Sequence, residues 1–77
     1  MRPLPEAFGE AVRRLRRKHE PSQEKFAARA GISRTYMSEI ERGATNVSLD
    51  TISRVAEGLG ISLSELFREV EIERRKR

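Results

Sequence analysis

The sequence predicts an all-α protein, a compact five-helix domain with a helix-turn-helix formed by its second and third helices. Three observations predict it. No stretch alternates apolar and polar residues as a half-buried strand does, whereas apolar residues recur at three- and four-residue spacing along the chain. Four serines, Ser22, Ser33, Ser48 and Ser62, stand where such a pattern begins, each offering a hydroxyl to the free N–H groups of a first helical turn. Three glycines, Gly31, Gly43 and Gly60, stand where a pattern ends, as left-handed helix caps do.

The first helix is expected over 5–18, after Pro3 and Pro5. Its inner face is Phe8, Ala11, Val12 and Leu15, and its outer face carries Arg13, Arg14, Arg17 and Lys18. Pro21 ends it, because a proline pushes the preceding residue out of the helical region. The second and third helices, 22–30 and 33–42, are joined by Gly31-Ile32-Ser33. The fourth, 48–59, has the core stripe Leu49, Ile52, Val55, Ala56 and Leu59. The fifth, 62–72, opens with Ser62 and Glu65 at capping-box spacing. Ile32, Val47 and Ile61 precede three of the serines and stand five positions before Met37, Ile52 and Leu66, the spacing of a hydrophobic staple. Pro21 and Phe26 make a weaker pair of the same kind.

The 77 residues are expected to form one domain, 1–77, with 73–77 a frayed basic tail. There is no cysteine, and His19 is the one histidine, so disulfides and the usual zinc sites are excluded. No metal and no cofactor is expected. A core this small gains from oligomerisation, the remaining route to added stability. No apolar run approaches a membrane span and the N-terminus is too polar for a signal peptide, so a cytoplasmic protein is expected. The net charge of +4 is unevenly spread. Residues 1–42 carry ten Lys/Arg against six Glu, residues 43–73 two Arg against six acids, and Arg74, Arg75, Lys76 and Arg77 restore the total. That asymmetry suits a face presented to a polyanion; a solvated Arg/Glu-rich surface is the plainer alternative.

Two short helices round a tight glycine-containing turn are the outline of a DNA-reading motif. Ala27 and Ala30 allow close approach of the second helix, Ile32 plugs the turn, and Met37 and Ile40 anchor the third helix. With Met37, Ile40 and Glu41 inward, Thr35, Ser38, Glu39 and Arg42 point outward. Arg34 lies in the first turn and Tyr36 on the flank. A short polar face of this kind suits base edges and phosphates.

The runs Ser22-Gln23-Glu24-Lys25-Phe26-Ala27, Ala30-Gly31-Ile32-Ser33 and Tyr36-Met37-Ser38-Glu39-Ile40-Glu41-Arg42-Gly43 resemble the lambda-repressor/Cro-like (Xre-type) helix-turn-helix domains. The resemblance continues through Ser48-Leu49-Asp50-Thr51-Ile52 and Leu59-Gly60-Ile61, covering about residues 8–67. Arg34-Thr35-Tyr36 with Ile40-Glu41-Arg42-Gly43 and Asn46 is most similar to restriction–modification controller proteins, although the run also occurs in other regulators of the family. The resemblance implies that Gln23 bonds a DNA phosphate, where free N–H groups and the helix dipole already favour an anion. It implies base reading by Arg34, Thr35, Ser38 and Glu39. Arginine can bond guanine O6 and N7 together, and a threonine methyl can pack on a thymine methyl. Glu39 either accepts from a cytosine amino group or orients Arg34 or Arg42 through a salt bridge. Tyr36, Arg42, Thr45, Asn46 and Ser48 are further phosphate candidates; for Tyr36 a partly buried flank, and for the loop simple turn chemistry, are the alternatives.

Arg16 and Glu41 match a family pair that bridges the first helix to the third, a structural ion pair. The family usually has a glycine and an aliphatic residue where this chain has Glu20-Pro21, so the turn at 19–22 must close differently. The fifth helix has more apolar residues, Leu63, Leu66, Phe67, Val70 and Ile72, than so small a core can take. The surplus points to an exposed patch, and the resemblance implies a homodimer through Leu63, Leu66, Phe67 and Val70, without deciding which of them face inward. Such pairing sets two reading helices one turn of DNA apart on a palindromic operator.

An enzyme is not expected: there is no cysteine nucleophile, no carboxylate pair in an apolar setting and no phosphate-cradling glycine loop. The expected function is sequence-specific binding of double-stranded DNA by a transcriptional regulator. The rival is an antitoxin- or coactivator-like protein-interaction module that has kept the fold and lost specific DNA binding. No small-molecule effector is expected, since the chain is too short for a separate sensing domain.

Overall fold

In the computed structural model, which describes residues 1–76, five helices follow in order: α1 (Leu4–His19), α2 (Gln23–Ala30), α3 (Arg34–Glu41), α4 (Leu49–Leu59) and α5 (Leu63–Arg75). The described residues contain no strand. Each of the four predicted serines is a working cap: Ser22, Ser33, Ser48 and Ser62 accept from the backbone N–H of Lys25, Tyr36, Thr51 and Glu65 at 3.0–3.1 Å. At Ser62 the capping box is complete, because the Glu65 carboxylate accepts from the Ser62 amide at 3.0 Å.

Helix α1 is the axis of the bundle. Helices α5, α3 and α4 pack against it, and α2 bridges α3 and α4. The core contains Phe8 and Val12 of α1, Phe26 of α2, Met37 and Ile40 of α3, Ile52 and Val55 of α4, and Leu66 and Val70 of α5. The staple residues Ile32, Val47 and Ile61 pack against it, half buried.

One residue that apolar periodicity passes over decides how closely α1 and α3 approach. Gly9 is buried in mid-helix, and a Cβ there would overlap the carbonyl oxygen of Ile40 and stand 2.8 Å from that of Glu41. Backbone meets backbone at this crossing, which fixes where α3 ends relative to α1.

Four points of the structure bear on sequence expectation, one of them left open there. Leu49 is 84% exposed rather than in the α4 stripe; it is the first helical residue, and the buried series runs from Thr51 and Ile52 through Val55, Ala56 and Leu59. Leu66 and Val70 are core residues, 0% and 1% exposed, and only Leu63 and Phe67 of the four dimer candidates reach the surface. Leu66, Val70 and Glu73 are spaced i, i+4, i+7, so one stripe of α5 faces α1. Helix α3 stops at Glu41, with Arg42 as its cap.

The fourth concerns the tail. Residues 73–75 are helical, and Glu73 is 2% exposed. Arg14 Nε at 3.0 Å, Lys76 Nζ at 3.2 Å and Arg2 Nη1 at 3.5 Å converge on the Glu73 carboxylate. Arg14 also reaches Glu69 at 2.8 Å, and the Arg2 amide donates to the Arg74 carbonyl at 3.0 Å. Burial alone would push the Glu73 carboxyl up, but hydrogen bonds from Arg14 and Lys76, with their charges, outweigh it and hold Glu73 below the ordinary carboxylate range. Arg14 is raised above its ordinary value, chiefly by the hydrogen bond to Glu69. The buried Glu73 and the cations gathered on it extend α5 beyond the apolar pattern that marked its end. Arg77, the last residue of the expected tail, lies outside the described residues.

Candidate nucleic-acid interface

The turn between α2 and α3 is made by a left-handed glycine. Gly31 has φ 76°, its N–H donates to the Ala28 carbonyl at 3.2 Å, and the Ile32 N–H donates to that of Ala27 at 3.0 Å, so two of the carbonyls left open at the end of α2 are satisfied. The Gly31 carbonyl is held from outside the motif: Arg54 of α4 donates to it from Nη1 at 3.1 Å, while its Nε pairs with Asp50 at 3.2 Å. Sequence reading did not single out Arg54. Its one visible signal was the i, i+4 spacing from Asp50, common on any exposed helix face.

At the start of α2 the missing glycine is replaced by charge. Arg16 of α1 is buried, and its Nη1 donates to the carbonyls of Glu20 at 3.0 Å and Pro21 at 2.8 Å. Glu20 is extended, and its carboxylate accepts from the Ser22 amide at 3.0 Å. The rest of the Arg16 guanidinium faces Glu41 in a bidentate pair, Nε to Oε2 at 2.6 Å and Nη2 to Oε1 at 3.0 Å. One buried cation thus ties together the α1–α2 turn and the end of α3. Glu41 Oε1 also accepts from Nε2 of Gln23 at 3.0 Å.

Five of the sequence-predicted residues meet in one polar recess of about 220 Å³: Gln23 from α2, Arg34, Thr35 and Ser38 from α3, and Arg42 just beyond it. Arg34, Thr35 and Arg42 are exposed, Gln23 and Ser38 half buried. The outward set predicted by the helical wheel is therefore gathered, except for Glu39. Glu39 is half buried on the same helix, and among the described residues it makes no ion pair with Arg34 or Arg42 of the kind that would orient them. Arg42 Nε instead lies 3.4 Å from the Ser38 carbonyl. Tyr36 is half buried against the core.

The loop candidates lie elsewhere. Thr45 and Asn46 line an apolar groove of about 210 Å³ with Leu4, Pro5, Phe8, Val47, Ile52 and Phe67, and the Thr45 hydroxyl lies 3.2 Å from the Asn46 carbonyl. Ser48 is committed to its cap, with its hydroxyl also 3.0 Å from that of Thr51. The Phe67 ring tilts against Phe8 at 6.4 Å. The four dimer candidates are thus divided: Phe67 lines this groove and Leu63 is exposed, while Leu66 and Val70 are buried. Among the described residues no His/Cys/Asp/Glu group is arranged to hold a metal ion, and no helix is long and apolar enough to cross a membrane.

Residues 12–66 match the family model HTH_3, described as "Helix-turn-helix". The control protein C.MunI of a Mycoplasma species is 49% identical over 67 residues, covering 86% of this chain and 90% of the relative. Among solved structures, the restriction–modification controller protein C.AhdI from Aeromonas hydrophila superposes with a TM-score of 0.78 and 41% identity, over 82% of this chain and 91% of that one. The clp gene regulator ClgR from C. glutamicum superposes with a TM-score of 0.90 and 28% identity over the whole of both chains.

Proposed function

The chain belongs to the HTH_3 helix-turn-helix family, of the lambda-repressor-like (Xre) type, and from that premise we propose that it is a sequence-specific transcriptional regulator acting as a homodimer on a palindromic DNA operator. Within the family we place it with the control proteins of restriction–modification systems, on the strength of its likeness to C.MunI and C.AhdI.

The observation that carries this reading is the recess shared by Gln23, Arg34, Thr35, Ser38 and Arg42. It combines the N-terminus of α2, where free N–H groups and the helix dipole attract an anion, with the exposed face of α3. In this reading α3 lies in the major groove, with Arg34, Thr35, Ser38 and Glu39 against base edges. Glu39, free of the arginines, accepts from a cytosine amino group. Gln23 and Arg42 hold phosphates on either side. Tyr36, Thr45, Asn46 and Ser48 are secondary phosphate candidates, the last through its backbone N–H. Arg16 and Glu41 set the angle of α3 to the rest of the bundle.

The dimer is formed in this reading by the exposed apolar residues Leu63 and Phe67, with Leu66 and Val70 supporting them from the core. A twofold axis there places two copies of α3 about one turn of DNA, roughly 34 Å, apart. The protein works by binding, in the cytoplasm and on the nucleoid.

Selection from a pool of random duplexes tests the reading directly. A palindromic consensus is expected, bound far more tightly than random DNA and with affinity falling steeply as salt rises. Enrichment of no sequence would overturn it.

A further inference from the structure

Glu41 points away from the exposed face of α3, yet it is bonded to the one residue placed at the anion-binding end of α2. Its Oε1 accepts from both Arg16 and Gln23 at 3.0 Å. A carboxylate has only acceptors, so the nitrogen of the Gln23 amide is the atom that must face it. That leaves the second N–H of the same nitrogen without a protein acceptor among the described residues, at the edge of the recess that also holds Arg34 and Arg42. We infer that Glu41 is a positioning residue for DNA docking: clamped by Arg16, it fixes the Gln23 amide so that its free N–H faces a phosphate at the start of α2.

The inference rests on the function proposed above and deepens it. A glutamine on a helix surface samples many rotamers, and ordering it on contact with DNA weakens the contact. Here the ordering is already done when the protein folds, by a carboxylate that cannot itself approach DNA. The same Arg16 guanidinium holds the carbonyls of Glu20 and Pro21, so the backbone from which Gln23 springs is fixed together with its side chain.

The test is a double-mutant cycle on the duplex recovered by selection, using Gln23→Ala, Glu41→Gln and both together. Affinity is followed across a salt series and folding by circular dichroism. Gln23→Ala should weaken binding roughly tenfold, the worth of one hydrogen bond to a charged group. Its salt slope should not change, because an amide neutralises no phosphate. Glu41→Gln removes a negative charge and on charge alone should strengthen binding; through Gln23 it should weaken it several-fold. The pair together should lose clearly less than the sum of the two single losses, because the route through Gln23 can be broken only once while the hold on α3 is lost in either background. A Glu41 that merely held α3 in place would still lower affinity when Gln23 is absent, so additive losses overturn the inference, as does a folded Glu41→Gln protein that binds as tightly as its parent.

If Glu41→Gln does not fold, amide NMR of the unmodified chain decides the matter. One Gln23 side-chain proton should exchange slowly in the free protein and the other should shift when duplex is added. Exchange of both as fast as at the exposed Asn46 overturns the inference. A chain that prefers no duplex at all overturns the function and this inference together, whereas selective binding with an additive cycle removes only the role of Glu41.

Discussion

Gly9 of α1 lets the carbonyl oxygen of Ile40, at the end of α3, occupy the place where a side-chain carbon would otherwise stand. The neighbour is backbone, so it cannot rotate away as a side chain could. Gly9→Ala gains helix propensity, about 1 kcal/mol, and forces α3 outward. The net expectation is a loss of about 1–3 kcal/mol, the usual range for overpacking, read as a lower midpoint in urea. DNA affinity of the folded fraction should fall as well, because the element displaced is the helix proposed to read the DNA.

Breaking the ion pair from one side leaves a buried charge. Arg16→Met strands the Glu41 carboxylate, whose side chain is 3% exposed, and should cost about 3–5 kcal/mol. Replacing both residues with methionine removes the stranded charge and should recover much of that loss. Thermal melts of the three proteins check it; an unchanged melting temperature for Arg16→Met would contradict a structural role for the pair.

Arg34 is the exposed arginine in the first turn of α3. Arg34→Ala should cost about 1–3 kcal/mol of binding and relax preference at a single base position. Repeating the duplex selection with the variant reads both effects at once.

Under the proposed dimer, the division of the α5 residues should separate assembly from folding. Phe67→Glu, at a position 37% exposed, should shift sedimentation toward the monomer and leave the fold in place. Leu66→Ala, at a position with no exposure, should destabilise the fold by about 2–5 kcal/mol. Equal effects of the two changes on stability would argue against the assignment.

Glu73 gives the fold an acid limit. Its carboxyl is held below the ordinary range in the folded chain, so the unfolded chain binds the proton first as pH falls. Its contribution is fully present above the ordinary carboxylate range and is lost as pH drops through the lower, folded value. Glu73→Gln should lower stability at neutral pH and flatten the acid side of the profile, measured as urea midpoints between pH 7 and pH 3.

The parts of the fold written in local chemistry were legible in the sequence. Ser22, Ser33, Ser48 and Ser62 each bond a backbone N–H three residues on, and Gly31 closes a turn three residues long, so short windows contain both partners. The outward set of α3 followed from helical period alone, because a buried Met37 and Ile40 leave only one way to turn it. What stayed hidden depends on partners distant in sequence. Gly9 reads as a weak point in a helix until Ile40 is brought against it. Arg54 reads as half of an ordinary surface pair until the Gly31 carbonyl arrives. Glu73 looks like tail until Arg2 and Arg14 fold over it. Leu49 misled for the opposite reason: its type fits a core stripe, but the first residue of a helix has not yet turned inward.

Helix α3 has eight residues, little more than two turns and well short of the length at which a helix holds itself in water. Its shape is lent to it by Ser33 at one end, Gly9 and Arg16 at the other, and Met37 and Ile40 beneath. No partly unfolded form of the protein can keep the exposed polar face of α3 in shape while the bundle loosens. For the regulator proposed above, occupancy of an operator should therefore follow the melting of the whole chain, so that temperature would act on gene control through the same transition that governs survival of the fold.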